Sequence, residues 1–282
     1  MNKKIALLLL PLLKLRFFRL HLGLFHYLFY NKNLTEQKGV YVRDGLKLSL
    51  DTKNLIDARI FFTGSYEPEL RAVFRKLIHK DDVILDIGAN IGYHSLLFSE
   101  ACGPEGKVYS FEPVKKNYAQ LIKNIALNKI KNINPLNFAL GNSDINLVID
   151  IEESGPNPGS ISLLNVSKTG EEISCRDADK ALRAMNIKKI DFIKIDVEGY
   201  EWFVLKSLKN IIKETRPIII FEWDSNYQAN SNINASDFHA YFSSLNYELF
   251  HTENKLNLKV DDLNAIKSAN ILAKPIENNF SI

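Results

Sequence analysis

The sequence is poor in cysteine, methionine and tryptophan, with two of each in 282 residues. Cys102 and Cys175 lack the close spacing of zinc ligands and are too few for a disulfide framework. They read as free thiols in a reducing compartment. A net charge of +3 is too small to argue for nucleic acid as a partner. No uninterrupted apolar run reaches the roughly 20 residues that a membrane-spanning helix needs. There is no internal repeat and no linker that divides the body of the chain. With 46% hydrophobic and 24% charged residues, the composition is that of a packed globular protein, not of a disordered or fibrous one.

What is present is unevenly placed. Residues 1–38 hold seven Lys and Arg and one acid, a balance of +6, which leaves −3 for residues 39–282. Residues 5–13, IALLLLPLL, resemble the apolar core of a signal peptide. Lys14, Arg16 and Arg19 follow at once, however, and no small-x-small cleavage site appears. Residues 15–30 mix Arg and His with Phe, Tyr and Leu, which suits a helix lying in a membrane interface. A helix packed on the body is the alternative. The expectation is an N-terminal helical extension over 1–38 that contacts the inner, cytoplasmic face of a membrane, and one domain over 39–282.

From about residue 67 the apolar pattern alternates between helical and strand periods. Residues 67–80 put Leu70, Val73, Phe74, Leu77 and Ile78 on one helical face. Further helices are expected at 93–102, 114–128, 177–187, 200–212 and 236–245. Strands are expected at 83–89, 107–113, 134–140, 190–199, 217–223, 247–251 and 269–273. Residues 141–172 read as an insertion, with a strand at 145–151 and a loop at 154–162. Such alternation predicts a doubly wound α/β fold: a mostly parallel seven-stranded sheet with helices on both faces. Ligands of these sheets bind beyond the carboxyl ends of the strands.

At the first such end stands Asp86-Ile-Gly88-Ala-Asn-Ile-Gly92. This is not the Gly-x-Gly-x-x-Gly of dinucleotide binders, and a carboxylate at Asp86 would repel a pyrophosphate but suit a cation. Glu112 ends the second strand, 20 residues after Gly92, where its two oxygens can accept from both hydroxyls of a ribose. The fourth strand closes on Lys194-Ile-Asp196-Val-Glu198-Gly199-Tyr-Glu201. Three carboxylates crowded at a strand end are costly unless used or solvated. The fifth ends on Phe221-Glu222-Trp223-Asp224, and Gly64-Ser-Tyr66-Glu67-Pro opens the first helix.

In this order DIGANIGYHS (86–95), SFEP (110–113), NFALGN (137–142), GSISL (159–163), IKIDVEGYE (193–201) and IIIFEW (218–223) resemble the FkbM-type methyltransferase family. The resemblance implies a class I, Rossmann-like methyltransferase domain with S-adenosyl-L-methionine as cofactor and a core at about 67–223. It implies cofactor contacts from Glu67, Asp86, Gly88, Ala89, Asn90, Gly92, Tyr93, Glu112, Pro113, Ala139 and Asp196. Catalysis would fall to Asp196, Glu198 and Glu222. One departure is Ser174-Cys175-Arg176-Asp177, where the family usually has Thr-Leu-Asp.

Methyl transfer to a hydroxyl needs alignment, exclusion of water and a general base. Asp196 ranks first as base or acceptor ligand, with Glu198, Glu222 and His94 as the other candidates. His94 reads better as a helix N-terminal residue packing against the sheet, and Glu201 as an exposed helix acid. Asp196 and Glu222 could instead hold a divalent ion, but their placement does not require one and no metal is expected. Family precedent and the leader point to O-methylation of a sugar hydroxyl in a surface glycan or glycolipid. The Lys-, Asn- and Ile-rich composition points to a bacterial source. Other readings are N- or O-methylation of a secondary metabolite and a non-catalytic cofactor-binding module. An NAD-dependent enzyme would need glycine where Asn90 stands.

Overall fold

The computed structural model describes residues 36–151, 162–230, 233–252 and 258–277. Nearly all of the basic leader and most of the expected loop at 154–162 lie outside the described residues.

The body opens with a hairpin that the periodicity did not announce. β1 (Lys38–Arg43) pairs antiparallel with β2 (Leu46–Asp51). Asp44 and Gly45 both have positive φ, 55° and 83°, as a two-residue hairpin turn requires. α1 (Leu55–Thr63) follows, and Gly64 closes it at φ 90°. α2 (Pro68–Leu77) buries Leu70, Val73, Phe74 and Leu77, the face expected from the sequence.

The chain then enters the main sheet with β3 (Val83–Ile87), crosses back through α3 (Tyr93–Cys102) and adds β4 (Lys107–Phe111). α4 (Lys115–Asn128) leads to β5 (Ile133–Leu136). The strand expected at 134–140 is in fact divided. Asn137 donates its amide to the carbonyls of Glu112 and Pro113, both at 2.9 Å, and turns the chain out of the sheet. β6 (Ala139–Gly141) then belongs to a second sheet, of order β6-β8-β7, with β7 (Ile145–Ile149) and β8 (Glu171–Asp177). β8 falls partly in the presumed insertion. Asp177 ends it and caps α5 (Ala178–Ala184), accepting from the Lys180 amide.

The main sheet resumes with β9 (Phe192–Ile195), shorter than expected because Glu198 and Gly199 take φ of 53° and 96°. The helix expected at 200–212 is two, α6 (Glu201–Ser207) and α7 (Lys209–Thr215), which meet at Leu208. β10 (Ile218–Asp224), α8 (Ser225–Asn230), α9 (Ala235–Ser244), β11 (Tyr247–His251) and β12 (Ser268–Pro275) complete the described chain. The main sheet runs β11-β12-β10-β9-β3-β4-β5. Its five strands from β10 to β5 are parallel to one another, and β12 is antiparallel to both of its neighbours.

Alternate residues of each central strand enter opposite cores, as period 2 dictates for a sheet covered on both faces. Ile84, Phe192, Ile218 and Ile220 join α2 and α3 on one side. Leu85, Ile87, Ile193, Ile195, Ile219 and Phe221 join α6, α7 and α9 on the other. The sheet is thus seven-stranded, mostly parallel and doubly wound, with helices on both faces.

Candidate active site

The carboxyl ends of β3, β4 and β9 open on two adjoining cavities, and Glu222 of β10 lines neither. The first, of about 520 Å³, has Gly88, Glu112, Pro113, Ala139 and Leu140 in its wall. The second, of about 420 Å³, has Ile56, Tyr66, Ala89, Tyr93, His94 and Lys194. Gly88, Asn90, Asp196 and Glu198 line both and so mark where they meet.

The loop after β3 is bent by Gly88 (φ 86°), Asn90 (φ 51°) and Gly92 (φ 82°). Gly88 and Ala89 both donate their amides to the Phe111 carbonyl at 3.0 Å, which ties the loop to β4. A Cβ on Gly88 would overlap the Asp196 carbonyl, and one on Gly92 would overlap the Leu121 side chain. Both positions therefore demand glycine on two counts, conformation and space.

Glu112 is buried at the end of β4. One of its oxygens accepts from the Asn90 amide at 2.8 Å and the other from the Val114 amide at 2.9 Å. Its burial pushes the carboxyl up to about 7, against the pull of these hydrogen bonds. Asp86 is fully buried and absent from either wall. Its Oδ2 accepts from the Ser95 hydroxyl, and its Oδ1 has no hydrogen-bond partner. Gly92 packs beneath the loop rather than in a cavity wall. Glu67, at φ 43°, lines neither cavity, contrary to its expected cofactor contact: Oε1 accepts from Asn270 at 3.4 Å, and Oε2 lies 3.5 Å from His94 Nε2.

Asp196 follows β9, and its Oδ2 accepts from the Lys194 ammonium at 2.8 Å. Lys194 is 2% exposed, and Asp196, Asp86 and Glu67 all favour its charged form. Glu198 accepts from the Tyr227 hydroxyl at 2.7 Å. Glu222, on β10, has an oxygen with no partner. One ligand atom from each of Asp196, Glu198 and Glu222 lies within 4.8 Å of the other two, so this trio has the spacing to hold a divalent ion. Burial, and then repulsion from Asp196, push the carboxyls of both Glu198 and Glu222 upward.

His94 is buried against Phe74 and Phe98, in keeping with a packing role, yet it also lines the second cavity. Burial holds its imidazole neutral. Glu201 corrects the sequence expectation. It is 1% exposed rather than an exposed helix acid, because its Oε1 turns back to accept from the amides of Val197 and Gly199. The loop that carries Asp196 and Glu198 is thereby fixed. Residues 174–177, where the family motif is altered, line neither cavity. Sequence reasoning gave no site role to Tyr66 and Leu140, though both stand in motifs it quoted, and passed over Tyr227 and Asn270, which stand in none.

A glycine-bent loop after the first sheet strand, an acid ending the next and an acid after the fourth define a class I methyltransferase site. Residues 86–249 match the family model described as "Methyltransferase FkbM domain", and the chain belongs to this family. The domain is accordingly a S-adenosylmethionine-dependent methyltransferase domain. Hexuronic acid methyltransferase AglP of Haloferax volcanii is 26% identical over 145 residues, 50% of this chain and 56% of that protein. The match thus spans just over half of that relative's length. Methyltransferase 1 of Beauveria bassiana is 24% identical over 196 residues, covering 62% of this chain and 74% of its own. Among solved structures, methyltransferase FkbM from Methylobacillus flagellatus KT has a TM-score of 0.44 at 16% identity, covering 77% of this chain and 52% of that one.

Proposed function

We propose that this enzyme methylates a hydroxyl of a sugar in a surface glycan or glycolipid, at the inner face of a membrane. The observation that carries the reading is Asp196, a carboxylate in the wall of both cavities, held by a buried ammonium. The name of the hexuronic acid methyltransferase relative supports a sugar as the acceptor.

The residues present fit S-adenosylmethionine. Glu112, anchored by two backbone amides and the Asn117 side chain, lines the first cavity, where its carboxylate can accept from a ribose diol. The bend at Gly88 lets the backbone lie close beneath a ligand. Asp196, in the wall of both cavities, suits a molecule with a sulfonium. When bound, the cofactor supplies a methyl group already activated on its sulfonium. The protein's part is then alignment, exclusion of water and removal of one proton. Asp196 takes the proton of the acceptor hydroxyl. Lys194 keeps its carboxylate in place, and Glu198, fixed by Tyr227, binds a neighbouring hydroxyl. Glu222, on the adjacent strand, stands close to Asp196 and Glu198, and its raised carboxyl is a proton-bearing neighbour rather than a counter-charge.

The test is incubation with labelled S-adenosylmethionine and a membrane glycolipid extract, read by mass spectrometry for a gain of one methyl. Asp196→Ala should slow this transfer by at least about 100-fold and leave affinity for S-adenosylhomocysteine within about twofold of wild type. Tight cofactor binding with no methylated glycan from the wild-type enzyme would sink the sugar reading.

A further inference from the structure

Arg59 is a cation close to the second cavity, though not in its wall, and the neighbouring Glu67 carboxyl feels its charge. Arg59 lies in the middle of α1, three residues after Ile56, so the two share a helix face. Ile56 lines the second cavity. The guanidinium carbon of Arg59 sits 5.5 Å from the centre of the Tyr66 ring, and Tyr66 lines the same cavity. Arg59 is half-buried, and among the described residues its side chain makes no hydrogen bond or ion pair. Lys194, by contrast, is already matched to Asp196. A partly buried guanidinium ordinarily meets a carboxylate or phosphate, whose geometry its planar fork fits. The segment that brings Tyr66 here is strained, with Glu67 left-handed at φ 43°.

The rest of the site says where an anion cannot go. The Asp196 carboxylate, in the wall of both cavities, would repel one. Tyr66 lines the second cavity together with Asp196 and Glu198, while Arg59 lies over its ring. We propose that the acceptor carries an anionic oxyacid group, carboxylate or phosphate, which Arg59 binds beside Tyr66 while the hydroxyl to be methylated lies at Asp196. The inference deepens the sugar-methylation reading and rests on it.

The experiment is calorimetric titration of glucuronate, glucose 1-phosphate and glucose into protein saturated with S-adenosylhomocysteine. Wild type should bind one or both anions at least about tenfold more tightly than glucose, the worth of a charge-assisted hydrogen bond. A preference for glucuronate alone assigns a carboxylate, and one for glucose 1-phosphate alone a phosphate. Arg59→Met should erase the preference and Arg59→Lys should keep part of it, both with unchanged affinity for S-adenosylhomocysteine as the check on folding. Equal or undetectable binding of all three sugars overturns the inference, as does a preference that survives Arg59→Met. Transfer to the glycolipid extract, measured alongside, separates the two claims. Anion preference without transfer removes the methylation reading and leaves the Arg59 site standing. Transfer without anion preference removes the Arg59 site alone.

Discussion

Among single residues, Glu112 makes the sharpest demand. A buried carboxyl displaced to about 7 is part protonated near neutrality. A ribose diol offers two donors to the charged form, so uptake of the nucleoside lowers the pKa and releases a proton. Affinity for S-adenosylhomocysteine should therefore weaken as pH falls from 7.5 to 5.5, by up to about tenfold per unit. Glu112→Gln should bind more weakly at pH 7.5 and lose the pH dependence, which calorimetry at three pH values will show. The importance of Glu112 was legible because a strand end and a glycine-bent loop are local features. The Lys194 ammonium between Asp86, Asp196 and Glu67 was not, since its partners come from three separate stretches of chain.

At the scale of elements, the loop from Asp196 to Tyr200 depends on the first residue of the helix that follows it. Glu201 supplies the acceptor for two amides of that loop. Glu201→Ala leaves both unsatisfied, at a cost of about 1–3 kcal/mol each. It should lower the melting temperature and reduce kcat with the glycan acceptor. Glu201→Gln, which keeps one acceptor oxygen, should recover much of both. Helical periodicity read Glu201 as exposed because it counts faces and cannot see a side chain folding back. The same blindness missed the β1–β2 hairpin and the division at Asn137. The parallel strands were easy by comparison, being short apolar runs between regular helices. The bounds of α3 and β11 agree with the sequence expectation residue for residue.

For the molecule as a whole, the gathered acids set the pH response. Burial raises Glu67, Glu112, Glu198, Glu201 and Glu222. A raised carboxyl contributes stability that is complete below its unfolded value, near 4.5, and is lost as pH climbs through its folded value. His94, buried neutral, acts in the opposite sense, but only below about pH 6.5. The ligand-free protein should therefore melt progressively earlier as pH rises from 6.5 to 8.5, and differential scanning calorimetry would detect this. Saturation with S-adenosylhomocysteine should flatten the trend, because Glu112 is then stabilised in its charged form.

The departure of the chain from the main sheet at Asn137 has one more effect. Glu112 belongs to the seven-stranded sheet, whereas Ala139 and Leu140 belong to the three-stranded one, so the first cavity is a seam between two independently bonded ladders. A nucleoside seated there acts as mortar. On its arrival, amide hydrogen exchange in β6 and β8 should slow, while that in β11 and β12, on the far edge, should stay as it was.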